Sequence, residues 1–272
     1  MRQHSGIVVT GTPRVGKRLG AHVADIPGDV IDIRSSTVLP AVREEIEFTT
    51  ADGVTLVGEL ALPASGTIEA TLITLHPLPT HGGYMDSHIF RKAAWRLPHL
   101  ADVAVLRFNT RGTSSPRGTS QGAFSEGIGE AEDVRAAVAF AAARQLPNRW
   151  LVGWSFGTEL ALMHGADLDV EGAILLSPPM HRAGPDNLDM WHRTGKPVLA
   201  LIPEHDDFLP PAQAREAFQL LPDMTMVVVP DAKHLWVGEK FVRIVLNEIV
   251  ERVAPSRAPI PTYIESNKEV MS

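Results

Sequence analysis

The chain has 272 residues, 44% hydrophobic and 21% charged, with a formal net charge of −7 and no cysteine. That is enough apolar material for one large core, and an acidic balance without a basic run argues against a nucleic-acid partner. The absence of cysteine excludes disulfides, thiolate metal sites and a thiol nucleophile. With no apolar run long enough for a membrane span or a secretory leader, the expectation is a cytoplasmic chain.

Residues 1–40 read as an N-terminal extension. Gly11-Thr12-Pro13-Arg14-Val15-Gly16-Lys17 has the spacing of a phosphate-cradling loop, but Arg18 stands where a magnesium-binding Ser or Thr belongs. The chain left before Val42 is also too short for a nucleotide domain, so the stretch is read as a surface extension, or a truncated remnant, with a chance resemblance to that loop.

Regular signals begin at Arg43. Glu45-Ile46-Glu47-Phe48-Thr49 alternates as a half-buried strand does, Asp52-Gly53 is a hairpin turn pair, and Val54 to Leu62 is the returning strand. Thr71 to Leu75 is apolar throughout, as in a strand covered on both faces, and it ends in the turn-rich His76-Pro77-Leu78-Pro79-Thr80-His81-Gly82-Gly83. A helix is predicted over 87–97 and a buried strand over 103–108. A polar loop with Arg111-Gly112 follows over 109–127, then a helix over 130–144 with acidic residues in its first turn, suited to the helix dipole. Arg111 and Asp133 are candidates to pair and pin that loop.

Trp150-Leu151-Val152 runs into Gly153-Trp154-Ser155-Phe156-Gly157, a G-x-S-x-G at a strand-to-helix turn, where a serine hydroxyl is pushed out of the sheet edge. A helix is expected from 158 to 164 and a strand from 172 to 177. Residues 180–196 look irregular. A strand over 197–202, a helix over 211–221, a strand over 224–229 and a helix over 238–253 complete the pattern, and the tail from 254 reads as mobile. This alternation predicts a doubly wound, mostly parallel sheet with helices on both faces and an antiparallel N-terminal hairpin, in one domain over 41–253.

In such sheets ligands bind at the carboxyl ends of the strands. A serine hydroxyl needs a base to take its proton, histidine titrates near neutral pH, and a carboxylate behind the histidine fixes its tautomer. Ser155, Asp206 and His234 each follow a predicted strand, in the order serine, acid, histidine. Asp207 and Glu204 compete with Asp206, and His205 with His234. The pair His76 and His81 lacks a third ligand at a diagnostic spacing, so no metal or other cofactor is expected. Trp154, Met180, Met190, Trp191 and Trp236 suit either an apolar acyl pocket or plain core.

The chain over 42–253 resembles the α/β-hydrolase superfamily, in particular its small uncapped members of the dienelactone-hydrolase-like and serine-aminopeptidase-like kinds. The likeness rests on Gly153–Gly157, on Asp206-Asp207-Phe208-Leu209-Pro210 as acid loop, on His234-Leu235-Trp236-Val237-Gly238 as histidine loop, on Arg107–Gly112, and on His76–Pro79 with Gly82-Gly83 as oxyanion loop. Ser114 and Pro203 stand where the family usually has glycine. The resemblance implies a serine hydrolase with Ser155 as nucleophile, His234 as base and Asp206 as acid, and an oxyanion hole from the Phe156 and Leu78 N–H groups, since Pro77 and Pro79 have none to give. The expected partner is a small-molecule acyl substrate, an ester or related compound. Amide cleavage by a peptidase, and non-catalytic binding of a small molecule, are the alternatives. About 18 residues between the strands ending at 178 and starting at 197 are too few for a large cap.

Overall fold

The computed structural model describes residues 30–265, so the phosphate-loop-like stretch at 11–17 lies outside the described residues. Residues 32–262 form one compact unit. The other described residues take part in a two-stranded sheet between Val30–Asp32 and Tyr263–Glu265.

The unit is built on eight strands: β1 (Val42–Thr49), β2 (Thr55–Leu62), β3 (Ala70–Leu75), β4 (Val103–Phe108), β5 (Arg149–Trp154), β6 (Gly172–Leu176), β7 (Val198–His205) and β8 (Thr225–Lys233). Their order across the sheet is β1-β2-β4-β3-β5-β6-β7-β8. The hairpin β1–β2 turns at Asp52-Gly53, where Gly53 takes φ +85 and Thr50 N–H donates to the Val54 carbonyl at 2.9 Å. β2 pairs antiparallel with β4, and every pairing from β4 through β8 is parallel. The chain leaves β3 toward β4 and leaves β5 toward β6, in opposite directions across the sheet, which opens a crevice at the carboxyl ends of β3 and β5.

Alternate residues of the central strands point to opposite layers. Ile73, Leu75, Leu151 and Leu175 face one layer, with α2 (Glu130–Ala143), α3 (Phe156–His164), α4 (Pro185–Thr194) and α5 (Pro211–Ala217) packed on it. Leu72, Val152, Trp154 and Leu176 face the other, under α1 (His88–Ala101) and α6 (Glu239–Val253). The apolar stripe of α6, from Val242 to Val253, is buried there.

Several elements differ from their expected bounds, α1 among them, which runs on to Ala101. The irregular stretch 180–196 contains α4. Pro185 opens it, Asn187 accepts the Gly184 N–H at 2.9 Å, Leu188 and Trp191 bury one stripe, and Gly195 closes it in the left-handed region. Helix α3 starts at Phe156, directly after the serine, and α5 stops at Ala217, short of the turn that Leu221 N–H closes onto the Phe218 carbonyl. Strand β7 runs on to His205, pairing with a β8 that reaches Lys233 through a register shift after Pro203. Residues 255–257 form a 3-10 turn, and Ile260 N–H donates to Asn247 Oδ1 at 2.9 Å.

Candidate active site

Ser155 sits between β5 and α3 with φ 52° and ψ −118°, a conformation costly for a residue with a Cβ and held by its surroundings. Its N–H donates to the Leu176 carbonyl at 2.9 Å, and its own carbonyl accepts from Thr158 N–H at 2.8 Å and Thr158 Oγ1 at 2.6 Å. The two flanking glycines are required by contact. A Cβ on Gly153 would lie 2.3 Å from the Gly157 carbonyl oxygen, and one on Gly157 would lie 1.8 Å from that of Leu75.

His234 follows β8 and reaches back over the sheet edge. Its Nε2 lies 2.9 Å from Ser155 Oγ, and its Nδ1 lies 2.9 and 3.1 Å from the two carboxylate oxygens of Asp206. Asp206 also accepts the Phe208 N–H at 2.8 Å and the Leu209 N–H at 3.2 Å. Burial pushes its pKa up, but the His234 hydrogen bond and the two backbone donors outweigh this and hold it below the ordinary carboxylate range. Of the sequence rivals, Asp207 lines the cleft, Glu204 binds the Asp231 N–H at 2.9 Å, and His205 lies 3.8 Å from Glu204. The structure brings together Ser155, His234 and Asp206.

The loop after β3 folds tightly: His81 N–H and Gly83 N–H both donate to the Leu78 carbonyl, at 3.1 and 3.0 Å. A Cβ on Gly83 would collide with the Pro77 carbonyl at 2.0 Å. Leu78 and Phe156 both line the cleft at Ser155, and neither backbone N–H takes part in a loop, cap or side-chain hydrogen bond among the described residues. As the first residue of α3, Phe156 has no intrahelical acceptor for its N–H. His76, buried beneath the loop, has both ring nitrogens engaged: Nδ1–H donates to the Pro77 carbonyl at 2.7 Å and Nε2 accepts the Thr110 N–H at 3.1 Å. It therefore offers no lone pair to a metal. Among the described residues, the exposed Glu204, His205 and Asp231 bring possible ligand atoms within 4.8 Å of one another, but Asp231 is also paired with Lys240 at 3.1 Å.

The cleft above Ser155 has a volume of about 450 Å³. Its apolar walls are Pro77, Leu78, Phe156, Pro179, Phe208 and Leu235. Trp154, Trp191 and Trp236 are buried in the core, Met180 packs against it, and Met190 is exposed; none of the five lines this cleft. Residues that sequence reasoning missed include Phe208, whose ring lies 4.4 Å from that of His234, and the pair Glu159–Arg182 in the cleft wall. Arg182 donates from its backbone N–H and its guanidinium to the fully buried Glu159, binds Glu126 at 2.8 Å, and lies 5.2 Å over the Phe156 ring. The available signal was Glu159 itself, the only acidic residue in α3, one turn past Ser155. The expected Arg111–Asp133 pair is present: the Arg111 backbone N–H and Nε donate to Asp133 at 2.8 and 2.9 Å, and Arg111 also binds Asp52 at 2.9 Å.

The model of the Alpha/beta hydrolase family matches residues 80–194. No curated protein sequence matches the chain. Among solved structures, a serine hydrolase without lid from Xanthomonas campestris is 28% identical with a TM-score of 0.66, over 81% of this chain and 99% of that one. An alpha-beta serine hydrolase homologue from Coxiella burnetii is 24% identical, TM-score 0.66, over 78% and 97%. An esterase from Pyrococcus furiosus shares the fold at 16% identity, TM-score 0.66, over 84% and 99%. Strand order, elbow and crevice agree with these matches: the chain has the α/β-hydrolase fold and resembles serine hydrolases without a lid.

Proposed function

We propose that the protein is a serine hydrolase that cleaves a carboxylic ester or related acyl compound through an acyl-enzyme. The observation that carries this reading is His234, placed 2.9 Å from both Ser155 Oγ and an Asp206 oxygen. With Nδ1–H donated to Asp206, Nε2 is the acceptor for the Ser155 hydroxyl proton, which is the state a base needs. Ser155 Oγ attacks the acyl carbon as its proton passes to His234. The developing oxyanion lies between the Phe156 and Leu78 N–H groups. His234 then gives its proton to the leaving alkoxide, and water, deprotonated by the same imidazole, releases the acid. The apolar cleft walls favour the acyl chain of an ester, and the short β6–β7 connection leaves the site open to solvent.

A fluorophosphonate probe is expected to label the wild type, and to leave Ser155→Ala unlabelled and His234→Ala labelled at least 1,000-fold more slowly, in keeping with the loss of a triad member. Equal labelling of Ser155→Ala removes the proposal. On p-nitrophenyl butyrate, Asp206→Asn is expected to cost far more in kcat than Asp207→Asn, and the reverse order moves the acid by one residue. Aminoacyl-nitroanilides run alongside separate ester from amide cleavage.

A further inference from the structure

The carbonyl oxygen of His234 is a meeting point. Trp154 Nε1–H donates to it at 3.1 Å and Ser177 Oγ–H donates to it at 3.1 Å. Both donors are buried, and neither touches the cleft. They come from different strands: Trp154 is the last residue of β5, directly before Ser155, and Ser177 directly follows β6. Ser177 takes φ 51°, in the left-handed region that side chains with a Cβ rarely adopt, while its N–H stays bound to the Leu201 carbonyl at 3.0 Å. Two residues past His234, Trp236 also has a positive φ, 52°, and its N–H closes a turn onto the Lys233 carbonyl at 2.9 Å. A third tie, His88 Nε2–H to the Leu235 carbonyl at 2.8 Å, holds the next residue to α1.

A histidine on a loop must be held to a few tenths of an ångström to serve as a base, and loops alone do this less well than strands. Backbone strain beside a site persists where the surroundings over-determine it. From these facts we infer that Trp154 and Ser177 are positioning residues. Together they clamp the His234 backbone to the two strands that carry and flank the nucleophile, so that the Ser155 Oγ–His234 Nε2 separation is set by the sheet rather than by the loop. The assignment rests on the triad reading above. It gives Trp154 a role that neither pocket lining nor core packing supplies, since each of those needs only its apolar ring.

The test removes the donors and keeps the shape. Trp154 is exchanged for benzothienylalanine, which retains the bicyclic ring and lacks the N–H, and Ser177 is changed to Gly, which tolerates the positive φ and lacks the hydroxyl. Each protein, with the double variant, is measured for labelling rate by a fluorophosphonate and for kcat and KM on p-nitrophenyl butyrate, with urea unfolding as the check on folding. Each single change is expected to lower kcat and the labelling rate about tenfold, and the double variant about a hundredfold, the scale of a displacement approaching 1 Å. KM is expected to stay within about twofold. Labelling and kcat at wild-type values in the benzothienylalanine protein overturn the clamp, whatever Ser177→Gly does to folding. So does a fall in kcat that tracks only the unfolded fraction. If instead wild type is not labelled, or Ser155→Ala labels equally, it is the triad reading that fails, so the two failures are distinguishable.

Discussion

His76 shows how one residue can be read two ways until its contacts are known. In the sequence it stands with His81 as a tempting metal pair; in the fold its two nitrogens tie the loop after β3 to the loop after β4. Burial holds its pKa down at about 4, against a smaller upward pull from the Pro77 carbonyl. Because the folded value lies below the unfolded value of 6.5, the unfolded chain binds more protons between about pH 4 and 6.5. Its contribution to stability is therefore complete above 6.5 and lost as the pH falls toward 4, by about 3 kcal/mol in total. His88 and His164, also held down mainly by burial, act in the same direction as the pH falls below 6.5, and Asp206 acts below 3.8. Urea unfolding at pH 7.0, 5.5 and 4.5 is expected to show a falling midpoint in wild type and a shallower fall in His76→Gln. Parallel pH slopes in the two proteins contradict the assignment.

Among the elements, α4 marks the difference between what was legible and what was not. The strands and the order Ser155, Asp206, His234 were written in apolar runs and in the residues directly after them. The elbow glycines were legible because only their size satisfies the backbone contact. The helix hidden in 180–196 was obscured by its short stripe, with only Leu188 and Trp191 buried in ten residues. The cleft walls were not legible for a different reason: Phe208, Glu159 and Arg182 come from three separate segments and meet only through the sheet order. Sequence reading also left Met190 and Trp191 equivalent, whereas burial separates them, at 43% and 0% exposed. Trp191 fills the layer against Leu151 and Gly165 and donates its Nε1–H to the Leu162 carbonyl at 3.1 Å. Trp191→Ala is expected to destabilise the protein by about 3–5 kcal/mol, and Met190→Ala by less than about 0.5 kcal/mol, in equilibrium urea unfolding. Similar costs for the two variants contradict the packing assigned to α4.

For the molecule as a whole, the governing feature is an apolar cleft left open above the crevice between β3 and β5. Among the described residues, the segment between β6 and β7 carries only α4, and none of the helices there is long and apolar enough to cross a membrane. Under the proposed activity, substrate discrimination then depends on the walls of that cleft. Each methylene of an acyl chain that leaves water for those walls contributes about 0.8 kcal/mol, or about fourfold in kcat/KM. The gain stops where the chain passes the outer rim, formed by Phe208 and Leu235, both more than half exposed. A p-nitrophenyl ester series from acetate to decanoate is therefore expected to rise by about fourfold per methylene and then level off, without a sharp fall, because an open cleft lets the excess chain lie in solvent. Phe208→Ala is expected to shorten the rising part of the series and leave the acetate rate within about threefold, since it removes wall and not machinery. A steep decline beyond a short chain indicates a closed pocket, and a flat series from acetate onward indicates that the apolar walls do not hold the acyl group at all.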